Sequence, residues 1–179
     1  MSPAPTRTAV STVRGAIVFT DLAGFTEFTA IRGDEAALEL LGVQDRVVSD
    51  LIEGRGRVVK ELGDGLMLWF DDTCHAVEAA LALQERFDER SAKDDLPLWV
   101  RIGIHYGQAA QRGSDLVGHD VNVAARVADL AAPGEVLISE AAAERVAERM
   151  EGVWCEEMGP TVMKGLPEPV GIYRAVRAG

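Results

Sequence analysis

The stretch VFTDLAGFT, Val18 to Thr26, limits the fold of this chain more than any other. It grows out of an unbroken apolar run, Ala16, Ile17, Val18 and Phe19. A strand apolar on both sides reads as buried, because no face is left for water. The run then meets a carboxylate, Asp21, followed by small residues around Gly24 that open a helix. The strand is expected over Val13–Thr20. A helix follows from about Phe25, breaks at Arg32–Asp34 and resumes over Glu35–Glu53. There Leu40, Leu41, Val47, Val48, Leu51 and Ile52 recur at helical spacing. EGRG is a turn. RVVKEL and LMLWF are short strands separated by GDG, a hairpin signature with Asp64 at its tip. Asp72 or Thr73 caps a helix to about Arg90, with Val77, Ala80, Leu81, Gln84 and Phe87 on one side. PLWVRIGIHYG alternates as a strand, and SDLVG is a short extended piece or loop. His119–Leu130 is an Ala-rich helix, GEVLIS a strand and EAAAERVAER a helix. VGIYRAV supplies at least one more strand.

This order is an α+β fold: a ferredoxin-like βααββαβ core, with one extra helix, and a small C-terminal αβ extension. The 179 residues suffice for one domain with a real core. It is expected over residues 13–179, behind a linker at 1–12.

Charge narrows the function. The chain holds 18 Lys+Arg against 29 Asp+Glu, a formal net charge of -11. Without a basic stripe it is unsuited to general nucleic-acid binding or to docking on an anionic membrane. A small phosphorylated ligand stays possible, because metal ions can reverse the field inside one cleft. No apolar run approaches the roughly 18 residues that cross a bilayer. The N-terminus lacks the apolar core of a signal peptide. Cys74 and Cys155 form no CxxC pair and read as thiols of a reducing compartment. A cytoplasmic location is expected.

In a ferredoxin-like sheet the first strand and the GDG hairpin are neighbours at the centre, so Asp21 and Asp64 converge. Separately, Asp21 could cap the following helix and Asp64 could satisfy a tight turn. Together they suit hard cations such as Mg²⁺ or Mn²⁺, which complete their shell with phosphates and water. Two such ions suit phosphoryl transfer. The backbone N–H groups of Leu22, Ala23, Gly24, Phe25 and Thr26 would then face a polyphosphate across small side chains. His105 and His119 have no zinc-like spacing and read as structural. Trp69, Phe70 and Trp99 read as core or interface.

FTDLAGFT, VVKELGDGLM, VRIGIHYG, DLVGHDVNVAARV, PGEVLIS and KGLPEPVGIYR run co-linearly from about Arg14 to Val176. As a set they resemble the class III nucleotidyl cyclases, the catalytic domains of adenylate and guanylate cyclases. The resemblance implies that Asp21 and Asp64 bind two divalent metal ions, Mg²⁺ or Mn²⁺. It implies that Lys60 and Asp115 read adenine. The chemistry agrees: adenine has an acceptor at N1 and a donor at its 6-amino group, which a lysine and an aspartate complement. Guanine reverses both groups, and the unpaired charges would oppose GTP. Asn122 and Arg126, four residues apart, share a helix face. The family uses these positions to orient the ribose and to stabilise charge at the α-phosphate, for which the forked, permanently charged guanidinium is suited. Lys164 matches a lysine that contacts the terminal phosphates. One departure is Glu135, where some relatives carry an arginine.

The resemblance further implies a head-to-tail homodimer with composite sites, metal acids from one chain and the purine-reading and transition-state residues from the other. The expected activity is adenylate cyclase, turning ATP into 3′,5′-cyclic AMP and pyrophosphate. A guanylate cyclase is the first alternative, opposed by Lys60 and Asp115. A nucleotide-binding regulatory domain without catalysis is opposed by the complete residue set. Diguanylate cyclases and polymerase palms share the core but not the NVAAR helix or the purine pair.

Overall fold

Strand β1 (Thr12–Leu22) is buried on both faces, as its apolar run requires. Ala16, Val18 and Leu22 pack with Leu68, Phe70, Ile102 and Ile104 in the larger core. Ile17 points the other way, among Met67, Trp69, Leu116 and Ala124. The computed structural model describes residues 9–94 and 99–179. Helices α1 (Phe25–Arg32) and α2 (Asp34–Ile52) are divided at Gly33, whose φ of 87° suits glycine. Then come β2 (Gly56–Leu62), β3 (Gly65–Phe70), α3 (Thr73–Asp94) and β4 (Val100–Arg112). They complete the expected βααββαβ core. Asp72 caps α3, its Oδ1 accepting the Cys74 N–H at 2.8 Å. Val77, Ala80, Leu81, Gln84 and Phe87 are all buried.

The rest of the described chain is β5 (Asp115–Val117), α4 (His119–Leu130), β6 (Val136–Ser139), α5 (Glu140–Arg149), β7 (Val153–Thr161) and β8 (Val170–Arg177). The sheet order is β2-β3-β1-β4-β6-β8-β7, with β5 added to β4. β1 runs antiparallel to both β3 and β4. Two expectations need correction, and the tail's "at least one more strand" proves to be two. The extension carries an additional strand, β7, on the outer edge; Trp154 and Met158 face solvent there, so no buried alternation marks it. Only β3 of the hairpin lies next to β1; β2 is the opposite sheet edge. Thr12 already belongs to β1, while residues 1–8 of the proposed linker, like Pro97 and Leu98 of the expected fourth strand, lie outside the described residues. No helix among the described residues is long and apolar enough to cross a membrane.

Helix α4 lies on β4 in backbone contact. A Cβ at Gly103 would stand 2.1 Å from the Ala128 nitrogen, and one at Gly107 would stand 2.3 Å from an Asp120 carboxylate oxygen. Alternation puts Gly103, His105 and Gly107 in one row of the strand. His105 is buried, with Nδ1 2.7 Å from Ser139 Oγ and Nε2 3.2 Å from Asp120 Oδ1. Burial holds its pKa below the ordinary histidine value, against the pull of Asp120, so the ring is neutral near pH 7. The partners assign the tautomer: Nε2–H donates to Asp120, and Nδ1 accepts from Ser139. Ser139 Oγ in turn accepts the Ala142 N–H that starts α5. The residue types are those of a hydrolytic triad, but Ser139 is 1% exposed and caps a helix. The chain is structural, as expected for His105.

Gly103→Ala forces a methyl group into the α4 backbone. It should destabilise the protein by about 3 kcal/mol and lower the melting temperature by roughly 6–12 °C. A melting curve matching wild type would reject the backbone contact.

Candidate active site

The GDG turn brings the two acids together because its glycines let β3 close tightly on β1. Gly63 takes φ of 66°. A Cβ at Gly65 would stand 2.4 Å from the Thr20 carbonyl oxygen. The buried Thr20 Oγ1 accepts the Leu66 N–H at 3.1 Å. Asp21, the next residue of β1, therefore faces the tip that carries Asp64. Asp64 has its pKa raised, first by burial and then by the negative charge of Asp21. Backbone N–H groups of Asp64 itself and of Leu22 bond its carboxyl and oppose the rise. Arg101, opposite Asp21 in the β1–β4 register, places Nη1 3.4 Å from Asp21 Oδ2.

Asp21 does not cap α1: the N-cap is Gly24, in the left-handed region, with no side-chain bond. Two of the five LAGFT amides already have partners within the protein. The Leu22 N–H serves Asp64, and the Ala23 N–H donates to the Trp99 carbonyl at 2.7 Å. The amides of Gly24, Phe25 and Thr26 precede the first bond of the helix, Phe28 N–H to Gly24 O.

The acid pair fits a divalent ion by chemistry. It offers hard oxygen donors whose mutual repulsion a cation would relieve. No group of three or more His, Cys, Asp or Glu gathers among the described residues, so substrate oxygens and water would fill most of the shell. Beside the pair opens a cleft of about 620 Å³. Asp21, Leu62, Gly65 and Arg101 line one side, and Ala125, Ala128 and Asp129 of α4 the other.

The second group of expected residues lies apart. β5 pairs with the end of β4 and brings Asp115 to β2, where Lys60 Nζ is 3.0 Å from Asp115 Oδ1. Asp115 also accepts the Leu116 N–H at 2.7 Å, and its pKa is lowered, chiefly by the bond from Lys60. Asn122 and Arg126 are exposed, one turn apart on α4. Arg126 Nη1 lies 3.2 Å from Asp129 Oδ2. Lys164 is exposed between β7 and β8, beside Met163, which is buried against Val123 and Val127 of α4. Lys60, Asp115, Asn122, Arg126 and Lys164 are not among the residues lining the Asp21 cleft. Glu135 is engaged elsewhere, accepting from Arg174 at 3.2 Å and from the Ala132 N–H at 2.8 Å.

Two residues of this region were not foreseen. Arg101 is a cation interrupting the apolar strand VRIGI, a visible signal once the β1–β4 register is known. Gln44 is a buried amide on α2 that donates to the Asp64 carbonyl. Its only trace in the sequence is one polar residue in an apolar stripe.

Comparison with known proteins bears on the family and the fold. A family model described as adenylate and guanylate cyclase catalytic domain matches residues 9–174. An adenylate cyclase of Streptomyces coelicolor is 37% identical over 134 residues, 74% of this chain and 34% of that protein. A putative adenylate cyclase 3 of Rhizobium meliloti is 33% identical over 162 residues, 88% of this chain and 27% of that protein. The chain thus spans about a third or less of these curated relatives. The crystal structure of the adenylyl cyclase CyaB from P. aeruginosa superposes with a TM-score of 0.85, covering 96% of this chain and 98% of that one at 24% identity.

A carboxyl with a raised pKa in the folded state favours folding below its unfolded pKa, and that contribution is lost as pH rises through the folded value. The wild type therefore loses it at Asp64 as pH rises. Asp64→Asn should melt higher than wild type in chelator at pH 7, with the difference shrinking as pH falls toward 4. Mn²⁺ should raise the melting temperature of wild type but not of Asp64→Asn. A variant that melts lower in chelator contradicts the burial and repulsion assigned to Asp64.

Proposed function

Because the chain belongs to the adenylate and guanylate cyclase catalytic domain family, we propose that it converts ATP to 3′,5′-cyclic AMP and pyrophosphate. The family includes both nucleotide specificities, so the choice of base rests on side chains. The observation that carries it is the Lys60–Asp115 pair. Lys60 donates to N1 of adenine and Asp115 accepts from the 6-amino group. Against guanine the lysine would meet N1–H and the aspartate the O6 carbonyl. Neither side chain would then find its complement on the base: donor would meet donor and acceptor would meet acceptor.

In this reading Asp21 and Asp64 hold Mg²⁺ or Mn²⁺. Two such ions, when bound, supply positive charge that favours the ribose 3′-oxyanion and the leaving pyrophosphate. The amides of Gly24, Phe25 and Thr26 face the phosphates. Arg101, released from Asp21, turns its guanidinium to the same oxygens. Asn122 orients the ribose, Arg126 neutralises charge growing at the α-phosphate, and Lys164 contacts the terminal phosphates. The ribose 3′-hydroxyl gives up its proton to water, and its oxygen forms a bond to the α-phosphorus as the bond to the pyrophosphate oxygen breaks in line.

The separation of the acid pair from the purine pair supports a site shared by two chains in a head-to-tail homodimer. Each dimer then has two equivalent sites.

Product analysis with ATP or GTP and Mn²⁺ or Mg²⁺ tests the reaction. Cyclic AMP should dominate; cyclic GMP as the main product would reject the purine-pair reading. Nucleotide binding without any cyclic product would favour a regulatory domain. Subunit mixing tests the shared site. Asp21→Ala and Asn122→Ala should each be nearly inactive alone. Mixed in equal amounts with free exchange, about half of the dimers are hybrids with one intact site, restoring about a quarter of wild-type activity. A mixture as inactive as its parents would exclude the composite site.

A further inference from the structure

Helix α2 lays Ala37, Leu40, Val43, Val48 and Ile52 into the core, and Gln44 lies in the same buried stripe. Gln44 is 2% exposed. Its Nε2 donates to the Asp64 carbonyl oxygen at 3.1 Å. Its Oε1 is buried too, and has no hydrogen-bond partner among the described residues. A stranded buried oxygen opposes folding. Methionine would fill nearly the same volume without one, so packing does not explain the amide.

The one hydrogen bond the amide makes among the described residues gives it a different purpose. It grips the main chain of the residue that carries the second acid, at the hairpin tip. The Leu66 N–H is held from the other side by Thr20 Oγ1 of β1. The tip is therefore fixed by α2 and β1 together. It is fixed against a force, since the Asp64 carboxyl is partly buried and stands in the field of Asp21. A tip free to relax would carry Asp64 away from Asp21 and toward water.

We infer that Gln44 is a positioning residue: through the Asp64 carbonyl it holds the acid pair at the separation a divalent cation requires. The inference rests on the reading of Asp21 and Asp64 as metal acids. Groups that support metal ligands from behind commonly change affinity tenfold or more when removed. Gln44 would belong to them while touching neither metal nor substrate.

The test compares Gln44→Met, Gln44→His and Asp64→Asn. Mn²⁺ binding to the whole chain is followed by the electron paramagnetic resonance of the free ion, and melting is measured in chelator. Gln44→Met removes the donor and the stranded oxygen. It should melt no lower than wild type, yet bind Mn²⁺ about tenfold more weakly. Gln44→His keeps a ring N–H that can donate and should recover most of the affinity. Asp64→Asn should not bind. Wild-type affinity in Gln44→Met, with binding lost in Asp64→Asn, overturns the role of Gln44 and leaves the acid pair standing. Gln44→Met melting lower, with affinity lost equally in Gln44→His, reduces Gln44 to a core residue and also overturns it. Mn²⁺ binding by Asp64→Asn as by wild type, or none by wild type, rejects the metal reading itself.

Discussion

Helix α4 can rest on the sheet only because β4 presents Gly103 and Gly107 where the two backbones meet. Any side chain at Gly103 would occupy the space of the Ala128 nitrogen. The missing Cβ of Gly107 leaves room for the Asp120 carboxylate, which there accepts the Gln108 N–H at 2.7 Å and bonds His105. This contact fixes both the depth and the rotation of the helix. Val121, Ala124 and Val127 turn inward, and Asn122, Arg126 and Asp129 turn to solvent. The outward face of α4, which carries every polar group proposed for the ribose and the α-phosphate, is thus set by two hydrogen atoms on a strand.

The acid pair obeys the opposite logic. Nothing attracts Asp21 to Asp64; the sheet imposes their approach. β1 is held on both sides, and the hairpin tip is locked by Thr20 and Gln44, so the carboxylates cannot separate freely. The raised pKa of Asp64 records the opposition. A carboxyl destabilised by burial and by a like charge, next to an open cleft, is a common mark of a functional site. Here the scaffold keeps the two acids on adjoining strand ends rather than on a mobile loop.

Much of this was legible in the sequence because it depends on local pattern. The apolar run ending at Asp21 had to be a central strand, and GDG between two short strands had to be a hairpin with Asp64 at its turn. α4 and α5 begin and end where their patterns do. What escaped depends on long-range register. β7 has one strand neighbour and two partly wetted faces, so its residues carry no alternation. The Ala23 amide was expected to face phosphates, but the carbonyl of Trp99, just ahead of β4, is its partner. Gln44 shows in sequence only that one helix residue is polar; the carbonyl it serves lies twenty positions away. Arg101 is similar, since its meaning comes from lying opposite Asp21.

In a chain of net charge -11, three of the four cations proposed for nucleotide contact already have carboxylate partners: Lys60 with Asp115, Arg101 with Asp21, Arg126 with Asp129. The three pairs would respond differently to ATP. Adenine is neutral, so Lys60 and Asp115 can each hydrogen-bond it while remaining paired. The arginines must exchange a carboxylate for a phosphate. Such an exchange at Asp21 leaves an acid without its cation, which is unfavourable beside Asp64 unless a divalent ion arrives at the same time. In the proposed reading, phosphate recognition by Arg101 and metal binding by the acid pair would then be coupled by charge alone. An anion arriving without a cation would find the arginine still occupied.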